Sequence, residues 1–220
     1  MAFELVRSGH LIRSMRLLPF MVGAVAVAAL FVHRGGFTDV TGPLRALGLV
    51  LALAGGFVLD DTAATTLQAS PYPLARRLVL RMGFAEAVIA VLWCIALWRV
   101  LPTSADGQRA ALALGLTVEL AAASTLVWAT AAWGRRRGLD EPGIATAPLL
   151  LALIFVGVAQ QRVPLVVGPG ANWLTAHMHW TAILTASTAC LAYAMRDPAA
   201  RTRRAIARTI RAKAGRRCRR

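Results

Sequence analysis

The sequence predicts an all-α membrane protein with six transmembrane helices, both termini in the cytoplasm, and a broken, re-entrant segment before the last helix. Three observations predict it. The 220 residues are 57% hydrophobic and only 16% charged, too apolar for a soluble domain of this size. Apolar runs of sixteen or more residues recur without a charge, which is the signature of membrane-spanning helices. The basic residues that give a formal net charge of +15 sit between and after those runs. That distribution is a topology signal and not a nucleic-acid surface.

Taken in order, residues 1–16 form an interfacial leader with Arg7, Arg13 and Arg16. Leu17 to Val32 is the first span. It has no clear small-x-small cleavage site after it, so it reads as a retained helix and not a signal peptide. The second span runs from about Pro43 to Leu59 and contains Gly55-Gly56, a pair that allows close helix approach or a bend. Residues 59–81 are the longest polar interruption of the first half and predict a cytoplasmic hairpin. The third span covers roughly Leu78 to Leu101, with Glu86 one turn inside. The fourth is Ala110 to Trp133, with Glu119 near its middle. The fifth is Ile144 to Gln160. Its Pro148 either falls in the first turn of a helix starting near Thr146 or kinks the span. Gln161 to Asn172 is apolar but interrupted by Pro164, Gly168, Pro169 and Gly170, as suits a re-entrant or surface-lying segment better than a straight span. Trp173 to Met195 is the sixth span, and 196–220 is a basic tail. Residues 1–195 thus read as one membrane domain.

Orientation follows from counting cations. The leader, the 59–81 hairpin, the 134–143 turn and the tail hold 20 of the 25 Arg and Lys residues, on the side of both termini. Arg34, Arg45, Arg99, Arg109 and Arg162 fall on the other side. The asymmetry places both termini in the cytoplasm of a multi-pass protein of the cytoplasmic membrane. Arginine outnumbers lysine 24 to 1 and alanine is abundant, a composition expected of a high-GC bacterial genome. The tail directly follows a predicted cytoplasmic helix end, so anionic lipid is its expected partner.

Few residues carry chemistry. Cys94, Cys190 and Cys218 share no CxxC spacing, which argues against a disulfide framework or zinc site. Asp60-Asp61 lacks the third carboxylate of a magnesium–diphosphate motif; it reads as an electrostatic clasp to Arg76, Arg77 or Arg81, or as a partner contact. Ser70-Pro71-Tyr72-Pro73-Leu74 stops one helix and starts another, leaving Leu67, Tyr72 and Leu74 as an apolar knob among charges. Glu119 at mid-bilayer costs roughly 3 kcal/mol and must face protein or water. Its readings are proton coupling, a cationic substrate contact or a helix-locking hydrogen bond. Glu86 is close enough to the interface to reach Arg77 or Arg81. His177 and His179 point about 200° apart on a helix and cannot share one metal there, so they read as a polar pair in an aromatic belt with Trp173 and Trp180. No Gly-Lys pair exists, so this chain carries no P-loop.

The phrase Val58-Leu59-Asp60-Asp61-Thr62-Ala63-Ala64-Thr65-Thr66-Leu67-Gln68-Ala69-Ser70-Pro71 resembles short actinobacterial permease subunits of ABC-2 type exporters. The sequence likeness is confined to about residues 58–77, whereas the predicted topology resembles that family along the whole chain. The resemblance implies a coupling hairpin at 60–77 that touches a separate P-loop ATPase through Asp60, Asp61, Leu67, Tyr72, Leu74, Arg76 and Arg77. It also implies a second permease copy or homologue. The chain itself then binds no cofactor, and ATP and magnesium belong to the ATPase. Glu86 and Glu119 are the polar residues available to a pathway. Two other readings stand beside it: a membrane-embedded enzyme or redox protein using Glu86, Glu119 or His177/His179, and a non-transporting assembly factor.

Overall fold

A computed structural model describes residues 18–32, 41–58, 60, 74–101, 109–139, 141–150, 152 and 172–196. The described residues are helical with no strand. The helices are α1 (Leu18–Val32), α2 (Thr41–Phe57), α3 (Leu74–Val100), α4 (Arg109–Arg136) and α5 (Trp173–Ala194). Residues 146–150 are helical as well. The predicted spans one, two, three, four and six each coincide with one helix. Of the fifth, only the opening turns lie among the described residues, and the 161–171 part of the re-entrant segment lies outside them.

Each helix forms where a long apolar run rich in Leu and Ala favours it; α3 buries one stripe, whereas α4 is buried on several sides. On α3 the buried stripe is Leu78, Met82, Ala85, Ile89, Trp93, Ala96 and Val100, one residue per helical turn. It meets Leu44, Leu47 and Leu51 of α2 and Leu112, Leu116, Leu120 and Val127 of α4 in one core. Apart from Glu86 on α3, the exposed faces of α1 and α3 carry large apolar side chains. Val79, Leu80, Val91, Ile95 and Trp98 stand exposed on α3, and Leu18, Met21, Val22 and Val25 on α1. A helix immersed in water would carry charge there.

Contacts fix the relative directions. Gly48 of α2 packs on Leu120 of α4, and Gly55 on Trp128, so these two helices run parallel. Gly115 of α4 lies against Trp173 and His177 of α5, while Trp133 stacks on Tyr193, so α5 runs parallel to both. Gly48 touches Trp93 and Gly55 touches Ile89, so α3 runs the opposite way. Of the two roles open to Gly55-Gly56, the structure uses close approach. A Cβ on Gly56 would stand 2.6 Å from Val127 Cγ1.

Among the described residues, two helices, Leu78–Val100 and Arg109–Arg136, are long and apolar enough to cross a membrane. The sequence expectation was six spans. The difference has physical causes. Helices α1 and α2 hold 15 and 17 residues, about 23 and 26 Å, short of a ~30 Å hydrocarbon core. Helix α5 has 22 residues but is diluted by two histidines and several hydroxyls. Four of those hydroxyls are spent inside the helix. Thr181 donates to His177 O at 2.7 Å, Thr185 to Thr181 O at 2.8 Å, Ser187 to Ile183 O at 2.7 Å and Thr188 to Leu184 O at 2.7 Å.

Candidate functional site

Two buried polar constellations stand at opposite ends of the parallel helices, about 20 Å apart along α2. The first surrounds Glu119. Helix α4 carries this carboxylate on its buried stripe, where its residue is 6% exposed. Arg45, in the first turns of α2, answers it as a fork: Nε donates to Oε2 at 2.6 Å and Nη2 to Oε1 at 2.7 Å. A planar guanidinium opposite a carboxylate is the strongest ionic geometry a side chain offers. Trp173 of α5 covers the pair, with the Arg45 guanidinium 5.8 Å from its ring centre.

His177 closes the cluster. Its Nδ1 lies 2.7 Å from Trp173 O, and its Nε2 lies 3.3 Å from Glu119 Oε1. The ring tilts against Trp173 with centroids 4.2 Å apart. Gly115 makes room for both rings, since a Cβ there would stand 2.6 Å from Trp173 Cζ2 and collide with the His177 imidazole. Between Gly115 and Glu119 along α4, Thr117 Oγ1 accepts from Trp93 Nε1 at 3.0 Å, tying α3 to the same level of α4.

The second constellation follows the other end of α2. Asp60 is 1% exposed, and its Oδ1 accepts from the Gly143 N–H at 2.7 Å. Gly143 O in turn accepts from Thr146 Oγ1 at 2.6 Å and from Thr146 N at 3.1 Å, which starts the helical turn. Pro148 therefore sits in a first turn, where its missing N–H costs least. Gly143 is close-packed: a Cβ would lie 2.8 and 2.9 Å from the two Asp60 oxygens and 2.9 Å from Gly56 O. Beside this joint, α4 and α5 end in cations and aromatic rings. Arg136 donates to Tyr193 O at 3.0 Å and lies over the Tyr193 ring, and Arg137 lies over Trp133.

Of the residues the sequence offers as a partner contact, Asp60 is buried, with the Gly143 amide on its Oδ1. Asp61, Leu67 and Tyr72 lie outside the described residues. Leu74, Arg76 and Arg77 lie in the first turn of α3, with their side chains also outside that description. Glu86 is on the exposed face of α3, and among the described residues it makes no ion pair. Glu119 pairs with Arg45 of another helix, a cation that the sequence counts with those of the outer side. A signal was available: Arg45 falls just inside the predicted second span, and two opposite charges within spans tend to meet. Among the described residues no group of three His, Cys, Asp or Glu side chains is placed to hold a metal.

Comparison with family models, curated proteins and solved structures returned no match.

Proposed function

We propose that this chain is a multi-pass protein of the bacterial cytoplasmic membrane and the permease subunit of an ABC-2 type exporter. The observation that carries the reading is the Asp60–Gly143 joint. It fastens the chain leaving α2 to the turn before residues 146–150, so the segment that begins at Asp61 departs from a braced point. A hairpin that transmits force from an ATPase needs such a root. The phrase 58–71 that resembles the exporter family begins at this joint. Exposed apolar faces on α1 and α3 support a lipid surround. The cations and aromatic rings ending α4 and α5 suit a membrane–water boundary beside the joint. The low hydropathy of α5 does not oppose a span, because the hydroxyls of Thr181, Thr185, Ser187 and Thr188 are bonded to its own carbonyls.

In this reading Asp60 braces and does not dock. The contact to the ATPase falls to Asp61, Leu67, Tyr72, Leu74, Arg76 and Arg77. Closure of the ATPase pair pushes the hairpin, and the braced root passes the push to α2 and to the helical turn at 146. Two copies of this chain, or one copy and a homologue, enclose the path.

Two measurements test the proposal. With Cys94, Cys190 and Cys218 replaced by serine, single cysteines between positions 64 and 72 react with an impermeant maleimide in inside-out vesicles and are silent in right-side-out ones. Tagged chain purified from its native membrane in mild detergent carries an ATP-hydrolysing polypeptide, which Tyr72→Glu releases without reducing membrane insertion. Labelling from the outer face alone, or an ATPase indifferent to Tyr72→Glu, overturns the reading.

A further inference from the structure

We propose that the ends of α4 and α5 form a binding site for the phosphate of an anionic phospholipid, with Arg136 and Arg137 as its donors and Trp133 and Tyr193 as the platform that holds them. The site begins with how α4 stops. Gly138 takes φ +84°, a left-handed conformation that glycine adopts without steric conflict. The reversal lets Gly138 N donate to Arg135 O and Leu139 N to Gly134 O, both at 3.0 Å, so the last turn of the helix is capped by its own chain. The backbone beneath Arg135, Arg136 and Arg137 is thereby fixed.

Two of these side chains lie on aromatic rings. The Arg136 guanidinium is 5.0 Å from the Tyr193 ring centre, and that of Arg137 is 5.5 Å from the Trp133 ring centre. The rings stack on each other, with centroids 5.9 Å apart and planes 29° from parallel. Arg136 is held at a second point, since its Nη1 donates to Tyr193 O at 3.0 Å. The same carbonyl accepts from Arg196 N at 3.2 Å, so a further arginine starts at this point. Both Arg136 and Arg137 are exposed. A guanidinium carries five N–H donors along the edge of a planar fork, and stacking occupies its face and not that edge. Rings that hold a fork in place also reduce the ordering that binding would otherwise require.

Phosphate oxygens match such forks in shape and charge. The surroundings favour a phosphate that belongs to a lipid. Tyr193 and Leu139 are about half exposed, so apolar surface borders the cations in the pattern of a membrane interface. Against Glu141 of the adjoining turn stand Arg135, Arg136, Arg137 and Arg196. The two helix C-termini add about half a negative charge each, which the arginines outweigh. The sequence expectation puts this end in the cytoplasm, where the leaflet is anionic. The inference rests on the membrane location in the proposed function and not on transport. It is also distinct from the basic tail, whose cations lie beyond position 196.

The full chain, purified in mild detergent and titrated with phosphatidylglycerol, tests the site when bound lipids are counted by native mass spectrometry. One phosphatidylglycerol should be held about tenfold more tightly than phosphatidylcholine. Arg136→Gln/Arg137→Gln should weaken it about tenfold, whereas Arg219→Gln/Arg220→Gln, the same charge change in the tail, should leave it. Tyr193→Leu keeps every arginine and the carbonyl at 193 but removes the ring under Arg136, and should weaken the lipid about threefold. If the glutamine variant fails to fold, Arg136→Lys/Arg137→Lys keeps the charges, loses the forks and should weaken the lipid about threefold. A tail variant as damaging as the α4 variant, or Tyr193→Leu binding like the unaltered chain, overturns the site. So does displacement of the lipid by millimolar inorganic phosphate, the mark of a free-anion site, or by a hexaglutamate peptide, the mark of a surface for an acidic protein. Carbonate extraction of native membranes separates this inference from the reading beneath it. A chain released by carbonate overturns both, and a chain that resists release yet holds no lipid here overturns this inference alone.

Discussion

Glu119 and Asp60 are both buried carboxylates, and each reaches a partner far away in sequence, across 74 and 83 positions. They are held in different ways. Glu119 is met by a formal charge on another helix. Asp60 is met by a backbone amide in a turn. A charge pair resides in two side chains and can be removed from either end. A carboxylate on an amide resides in one side chain and in the path of the chain. The Glu119 end can therefore be taken apart from either side chain, whereas the Gly143 half of the Asp60 contact cannot be removed by changing a side chain.

The largest effect belongs to the ionic end. Arg45→Met leaves Glu119 buried without its guanidinium, at a cost of roughly 3–5 kcal/mol. Denaturant titration of the purified chain in detergent measures it. The double variant Arg45→Met/Glu119→Leu recovers most of the loss, because two apolar groups of similar size need no partner. A double variant no better than the single would mean that packing and not charge holds α2 against α4.

The same contrast explains what the sequence let one read. Helix positions were legible because apolar runs and their polar breaks are local; predicted and observed helix ends agree within about four residues. Glu119 was legible as a residue in need of a partner, because a carboxylate inside an apolar run is a conflict visible on its own line. Its partner was not, since Arg45 stands beside a predicted loop and looks like one more flanking cation. His177 was read as an interfacial ring for the same reason: its Glu119 contact depends on Gly115 admitting it. Asp60 was the least legible. Its partner is a main-chain N–H, which every residue except proline possesses, so no residue type at position 143 announces it.

The joint comes next in size. Asp60→Ala removes the acceptor and strands the Gly143 N–H, costing about 1.5–3 kcal/mol. Asp60→Asn keeps a carbonyl acceptor and loses less, and the difference between the two measures what the charge adds. If Asn were as damaging as Ala, charge would outweigh the hydrogen bond, and the two ends would be more alike than their geometry implies. Close behind are the glycines that make each end possible. Gly143→Ala drives a methyl to within 3 Å of the Asp60 carboxylate and Gly56 O, and Gly115→Ala drives one into the His177 ring. Each should cost about 1–3 kcal/mol by overpacking. Gly143→Ala should spare the His177 nitrogen signals, and Gly115→Ala should shift them, which separates the two ends by spectroscopy.

The smallest effect is expected on the exposed face of α5, and there the sign matters more than the size. Thr185 and Thr188 bond their hydroxyls to carbonyls of their own helix. They contact neither constellation. Thr185→Val and Thr188→Val should change stability by no more than about 0.5 kcal/mol in detergent, as surface substitutions away from packed features do. On the transport reading, in which α5 crosses the bilayer, the same changes should leave its insertion unaltered, because the hydroxyls they remove were already satisfied. If valine instead improved insertion markedly, the threonines would be exposing polarity to lipid, and α5 would be a poorer span than its hydrogen bonds make it.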